Sequence, residues 1–115
     1  MARIKHIEIA GRNGEQLKKF YAELFDWQIE RKDVSGFDYY DIKTEPGGKP
    51  TAGIRHEPEG KAELVVYIEV DDLEKTVARA KKLNANVRIP PMLYGELTFA
   101  LIEDPEGNPI GLTQA

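Results

Sequence analysis

Apolar and polar positions along this chain repeat with two different periods, and each period predicts an element. Residues 3–10 alternate between apolar and polar side chains, which is typical of a half-buried strand. Over residues 17–25 the apolar side chains recur at three- and four-residue intervals and predict a helix with a continuous apolar stripe. Asn13 and Gln16 form a capping-box pattern at its start, and Asp26 tolerates the left-handed backbone expected at its end.

The same succession of elements occurs twice. The pattern predicts a first round of strand, helix and three strands, with a turn at residues 34–37, and then a second round. In the second helix Asp71 and Glu74 form the capping pattern and Asn84 ends the helix. The predicted elements of the second round are a strand at 64–70, a helix at 73–83, a strand at 86–89, a loop at 90–95 and a closing hairpin at 99–114.

The two rounds can be overlaid on each other. Residues 7–9 align with residues 66–68 at an offset of 59, and Gly53 aligns with Gly111 at an offset of 58. The chain of 115 residues is therefore interpreted as one α+β domain, residues 1–115, made of two βαβββ modules.

Neither module could close a core alone, because each supplies one short sheet with a helix on one face. The modules are expected at about 3–56 and 63–115, with the polar segment 57–61 as their linker. We expect a curved mixed sheet, a half-barrel with both helices on its outer side, around a concave cleft.

Strand alternation predicts which side chains line that cleft. If residues 7, 9, 66 and 68 point to the helices, their strand neighbours point to the opposite face. Tyr94, in the predicted loop, is a candidate lid over the cleft. The candidate ligand-binding residues are His6, Glu8, Gly53, Arg55, Tyr67, Glu69, Tyr94 and Gly111, with Val65 on the same face.

Two carboxylates and one histidine are the candidates for chemistry. Glu8 and Glu69 are the candidate catalytic residues, since a cleft carboxylate with a raised pKa can abstract a proton. The alternative is that both form salt bridges with Arg or Lys. His6 is interpreted as a ligand-binding donor, as a relic metal-ligand position or as an ordinary polar strand residue.

Composition excludes several classes of function. The chain has no cysteine, so disulfides, thiolate metal sites and a Cys nucleophile are excluded. The net charge of −4 argues against a nucleic-acid partner, and no apolar run approaches the roughly 20 residues that span a bilayer. We expect a cytoplasmic protein with no nucleic-acid and no membrane partner.

Residues 104–112 carry the strongest motif in the chain. Asp104-Pro-Glu-Gly-Asn108 is a turn in which Pro presets one corner and Gly permits a positive φ. Together with His6-Ile-Glu-Ile9, residues 20–27 and residues 67–73, it resembles the vicinal oxygen chelate superfamily, the group of glyoxalases, bleomycin-resistance proteins and extradiol dioxygenases. The resemblance covers nearly the whole chain and implies the same pair of βαβββ modules.

The resemblance also implies where a metal would be held. Metal-dependent members take one ligand from the first strand and one from the last strand of each half, which corresponds here to His6, Gly53, Val65 and Gly111. Only His6 has a donor atom, so we expect no metal and no cofactor, although a divalent ion at unrecognised ligands is an alternative. The two glycines are expected to leave open space where ligands would stand.

Three functional hypotheses follow. The first is a metal-free small-molecule-binding protein of the glyoxalase/bleomycin-resistance type, with a role in sequestration or resistance and acidic walls that favour a cationic or hydroxyl-rich ligand. The second is a divergent lyase, isomerase or dioxygenase that uses cleft carboxylates or an unrecognised metal. The third is a dimerisation module, because exposed sheet edges favour a homodimer.

Overall fold

The computed structural model describes residues 1–34 and 37–115, so the turn predicted around residues 35–36 lies outside the described residues. Within the described ranges the chain forms two helices and eight strands. The α+β class and the two βαβββ modules are confirmed. The elements are β1 (Arg3–Gly11), α1 (Gly14–Phe25), β2 (Gln28–Val34), β3 (Phe37–Lys43), β4 (Ala52–His56), β5 (Glu63–Val70), α2 (Leu73–Lys82), β6 (Asn86–Tyr94), β7 (Leu97–Glu103) and β8 (Pro109–Gln114).

The chain divides into two compact units, which we call the N-unit and the C-unit. The N-unit is His6–Leu64, and the C-unit is Met1–Lys5 together with Val65–Ala115. In the N-unit the strand order is β2-β3-β4-β1, with β1 parallel to β4 and the other pairs antiparallel. Helix α1 covers one face of these strands, where Leu17 and Tyr21 pack against a core of Ile29, Tyr40, Ile42 and Ile54.

The C-unit repeats this arrangement. Its strand order is β5-β8-β7-β6, with β5 parallel to β8 and the remaining pairs antiparallel. Leu73 and Val77 of α2 pack on one face against Val70, Ala100, Ile102 and Leu112. Each unit therefore has a helix-covered face with its own apolar core and a second face opposite the helix.

The repeat read from the sequence also appears in the strand register. In the N-unit Glu8 lies directly opposite Gly53, and in the C-unit Tyr67 lies directly opposite Gly111. The two pairs occupy the same place in the two modules, in agreement with the predicted offsets. Not every predicted core residue is buried, however: Ile7 is 48% exposed and Val66 is 37% exposed.

The helix ends show one correction. Asn13 Oδ1 accepts a hydrogen bond from the Gln16 N–H at 3.0 Å, and Asp26 ends α1 with a φ of 59°, as predicted. The N-cap of α2 is Asp72 rather than Asp71, and its carboxylate accepts from the Lys75 N–H at 3.1 Å. The prediction was one residue early because two adjacent aspartates can both cap, and the helix begins only at Leu73.

The predicted loop at 90–95 is wrong over most of its length. Strand β6 continues to Tyr94, which pairs with Leu97 of β7. The pairing shifts register between Ile89 and Met92, where the two prolines stand. A proline is compatible with a strand at an irregularity or on the outermost strand, and β6 is last in the strand order of its unit. Tyr94 is thus part of a hairpin and not of a lid loop.

The closing turn forms as the sequence predicts. The Asp104 carboxylate accepts from the N–H groups of Glu106 and Asn108, both at 2.9 Å, and Gly107 has a φ of 92°. These bonds fix the turn that joins β7 to β8 and thereby fix the register of Gly111.

Candidate functional site

Tyrosine rings cover both glycines of the predicted site. A Cβ atom built on Gly53 would lie 2.1 Å from the Tyr39 hydroxyl oxygen, and one built on Gly111 would lie 2.3 Å from two ring carbons of Tyr67. Cβ atoms do not approach other atoms so closely, so glycine is required at both places for the ring to lie against the strand. The expectation of open space beside these glycines is wrong, because neighbouring aromatic side chains use it.

The polar face of the N-unit is the face opposite α1. Residues paired across neighbouring strands point to the same side of a sheet, so the register brings side chains of β1, β3 and β4 together. This polar face comprises His6, Glu8, Tyr39, Asp41, Gly53 and Arg55. It unites four of the predicted site residues with Tyr39, which the sequence places near the same strands, and with Asp41, which the structure adds.

Arg55 is the centre of an ionic network on this face. Its guanidinium lies 3.3 Å from a carboxylate oxygen of Glu8, 3.1 Å from one of Glu63 and 3.7 Å from one of Glu57. The side chains of Glu8 and Glu63 are only 5% and 9% exposed. Buried charges persist in proteins when they are paired, so Arg55 accounts for the burial of Glu8. Glu8 is therefore an ion-pair partner, as the alternative interpretation of the sequence held.

His6 and Tyr39 form the second group on the polar face. The Nε2 atom of His6 lies 2.8 Å from the hydroxyl oxygen of Tyr39, within hydrogen-bond distance. Burial lowers the pKa of His6 below its usual 6.5, and the negative charge of Asp41 opposes part of that shift. The imidazole is consequently neutral at physiological pH. Asp41 itself is paired with the Lys32 ammonium at 2.7 Å.

The corresponding face of the C-unit carries an apolar cluster. Val65, Tyr67 and Leu101 are buried there, with Ile89 and Phe99 packed against them. The ring of Tyr67 thus belongs to a small second core. The site residue Tyr94 lies at the end of the same hairpin, where its ring contacts Phe99 edge to face at 6.4 Å between centroids.

Glu69 is a residue of the C-unit, and its partner is a different arginine. It accepts a hydrogen bond from the Arg3 guanidinium at 2.9 Å, and both residues belong to the C-unit. The two predicted catalytic candidates therefore share one property, since each is paired with an arginine. Sequence reasoning identified the carboxylates but not their partners.

The sequence contains a pattern that could have placed some of the additional residues on this face, but not all of them. Tyr39 and Asp41 alternate on a predicted strand and share a face, so their register with Gly53 could have placed them. Glu63 stands at the edge of the predicted linker and gave no such signal. Its contact with Arg55 depends on the path of the segment between β4 and β5.

The residues at the four family positions do not fit a divalent metal. Val65 is fully buried in the apolar cluster, and a tyrosine ring covers each glycine. Among residues 1–34 and 37–115 no group of three or more His, Asp or Glu side chains is arranged to hold an ion. His6 remains the one family position with a donor atom, and that atom contacts Tyr39.

Solved structures with the same fold were found by comparison. A hypothetical protein from Bacillus halodurans C-125 matches with a TM-score of 0.71 at 13% identity, covering 99% of this chain and 94% of that one. A methylmalonyl-CoA epimerase in complex with methylmalonyl-CoA and NH4+ matches with a TM-score of 0.70 at 14% identity, covering 100% and 95%. A variant of the Streptomyces coelicolor methylmalonyl-CoA epimerase in complex with 2-nitronate-propionyl-CoA has a TM-score of 0.66 at 16% identity, covering 98% and 94%. These identities establish similarity of fold alone.

Two further observations complete the comparison. No curated protein matches this sequence, and none of the helices in the described part of the chain is long and apolar enough to cross a membrane. A family model matches residues 3–112, which is nearly the entire chain. With both modules, the closing hairpin and this match in agreement, the chain belongs to the Glyoxalase/Bleomycin resistance protein/Dioxygenase superfamily.

Proposed function

We propose that this chain binds a small organic molecule on the polar face of the N-unit and does so without a metal ion. The observation that carries the proposal is the Tyr39 ring over Gly53, in a place from which the metal-dependent members of the family take a ligand. A side chain that fills such a place with an aromatic ring offers a surface for an organic ligand instead of a donor for an ion.

The charges on this face favour a cationic or hydroxyl-rich ligand. Arg55 is surrounded by three carboxylates, so the network it centres has more negative than positive groups. A ligand ammonium group would reduce this excess in surroundings where charge interactions are stronger than in water. The half-buried Tyr39 ring adds an aromatic surface that also attracts cations.

Thermal-shift measurements test the proposal. Protein treated with a chelator and shown to be free of metal is heated with choline, with sorbitol and with acetate as separate probes. Choline or sorbitol is expected to raise the midpoint and acetate is not, because binding to the folded state alone stabilises it. A Tyr39→Ala variant should lose the shift, whereas Tyr21→Ala, on the helix side, should keep it. If only added divalent ions raise the midpoint, the metal-free proposal is wrong.

A divergent lyase, isomerase or dioxygenase is the second candidate. The fold shared with the epimerases supports the comparison, but Glu8 and Glu69 are both held by arginines. Turnover of methylmalonyl-CoA, followed by exchange of its α-proton with solvent deuterium, separates this candidate from simple binding. Exchange that is lost in Glu8→Gln or Glu69→Gln would favour the enzyme.

A homodimer in the cytoplasm completes the proposal. Phe20, Leu24 and Phe25 on α1 are each about half exposed, and a second copy of the chain would cover such an apolar patch. Binding without turnover fits sequestration of a toxic compound, the role of a resistance protein. Cell fractionation with a cytoplasmic marker tests the location.

A further inference from the structure

The contact between His6 and Tyr39 brings a weak acid and a neutral base together. Nε2 of His6 is 2.8 Å from the phenolic oxygen, and the two rings are inclined by only 28° with centroids 6.3 Å apart. Both side chains are partly exposed on the polar face. A nucleophile and a base within hydrogen-bond distance form the arrangement by which proteins activate hydroxyl groups.

We propose that Tyr39 and His6 form a reactive dyad, in which the Tyr39 hydroxyl attacks small acyl donors and the His6 imidazole takes its proton. The geometry supplies the hydrogen-bond contact. The burial of His6, which favours the neutral ring, keeps the base able to accept a proton. The site lies on the same face as the proposed ligand site but does not depend on it, since the dyad requires only these two side chains.

The other tyrosines have different surroundings. Tyr40 donates a hydrogen bond to the Glu15 carboxylate at 3.0 Å, and burial together with that carboxylate raises the pKa of Tyr40. Tyr67 is buried in the apolar cluster of the C-unit. Tyr21 stacks between Phe25 and Trp27 on the helix side. The Tyr39 hydroxyl, by contrast, contacts the imidazole of His6.

The acyl transfer balances without a cofactor. With N-acetylimidazole as the donor, a bond forms between the Tyr39 oxygen and the acetyl carbon while the proton moves to His6 Nε2. The bond from the acetyl carbon to the imidazole nitrogen breaks, and the leaving imidazole takes the electron pair. His6 then gives its proton to the leaving group, so the products are O-acetyl-Tyr39 and free imidazole.

The experiment is acetylation with limiting N-acetylimidazole near neutral pH, with each tyrosine followed by peptide mass spectrometry. Tyr39 is expected to acquire the acetyl group before Tyr21, Tyr40, Tyr67 and Tyr94. The His6→Gln variant should acetylate Tyr39 about 100-fold more slowly, which is the lower end of the range for general-base catalysis.

Three further variants separate the dyad from a folding effect. His56→Gln is the matched control, because the other histidine of the chain accepts from the Gly14 N–H at 2.9 Å and should leave the Tyr39 rate unchanged. Gly53→Ala displaces the Tyr39 ring while retaining both reactive groups, and it should also slow the reaction. Tyr39→Phe should remove the modification and leave the other tyrosines as before.

Two results would overturn the dyad. One is a Tyr39 rate no greater than that of Tyr21 in the wild-type protein, a comparison that needs no variant. The other is an unchanged Tyr39 rate in His6→Gln with circular dichroism like that of the wild type. Failure of every small-molecule probe to bind would count against the proposed function but would leave a fast, His6-dependent acetylation intact.

Discussion

The N-unit and the C-unit have the same order of elements and strand pairing, but different side chains around the glycine on the face away from the helix. In the N-unit this face holds Glu8 and Arg55 in an ionic network, whereas in the C-unit it holds Val65 and Leu101 in an apolar cluster. Glu8 and Tyr67 are equivalent positions, each opposite the glycine of the last strand. Repetition of a fold therefore conserves register and does not conserve the kind of site.

A tyrosine ring lies over each of the two glycines, but it comes from a different strand in each unit. Tyr67 covers Gly111 from the directly opposite position on β5, while Tyr39 reaches Gly53 from β3, two residues beyond the position opposite the glycine. The first tyrosine is buried among apolar side chains, and the second is half-buried beside His6. One ring serves packing, and the other remains accessible to a ligand.

The largest difference in stability is expected between variants of the two arginines that hold the candidate carboxylates. Arg55→Met would leave Glu8 and Glu63 buried without their cation and should lower the free energy of unfolding by about 3–5 kcal/mol. Arg3→Met removes the partner of Glu69 from a largely exposed pair, and the loss should stay within about 1 kcal/mol. Urea denaturation at neutral pH measures both.

A second comparison uses alanine at the equivalent glycines. Gly111→Ala forces the Tyr67 ring out of a packed cluster and should cost about 1–3 kcal/mol. Gly53→Ala should cost less, because the half-buried Tyr39 ring has more freedom to shift. Equal losses in urea denaturation would mean that both rings are packed alike and would contradict the difference between the faces.

The pH dependence of stability is expected to reveal His6. Its pKa in the folded state is lowered by burial, so the unfolded chain binds the proton more readily. The stabilising contribution is complete above pH 6.5, the usual value, and is lost as the pH falls through the lower folded value. Denaturation midpoints across this window should fall less steeply in His6→Gln. An NMR titration that gives the His6 imidazole a pKa above 6.5 would reverse the expected pH dependence of stability. It would exclude burial of His6 as the cause of that dependence.

The smallest effect on stability is expected on the helices. The outer side of α1 carries Leu24, which is 58% exposed, whereas the outer side of α2 carries charged residues such as Lys81. Leu24→Lys should change the free energy of unfolding by at most about 0.5 kcal/mol, as is usual for surface sites, while converting a dimer to a monomer in sedimentation velocity. Lys81→Glu is the control and should leave the dimer intact. A wild-type monomer at micromolar concentration would contradict the homodimer.

Much of the fold could be predicted because it depends on local signals. Asn13 begins α1 through the hydrogen bond that its side chain accepts, and Asp26 ends it by adopting the left-handed backbone. Gly107 permits the closing turn. The prediction was wrong at residues 90–94, where two prolines suggested a loop. An outermost strand accommodates prolines that an inner strand would exclude, and that position in the sheet is not a local property.

The sequence by itself determined the two modules, the equivalence of Gly53 and Gly111, and the lack of donor atoms at three of the four family positions. Periodicity and residue chemistry are sufficient for these, since each depends on neighbours along the chain or on the side chain itself. Only the tertiary structure decided that Tyr39 and Tyr67 occupy the glycine places and that Arg55 holds Glu8. These contacts join strands that are distant in sequence, and their distances follow from the packing of the whole unit.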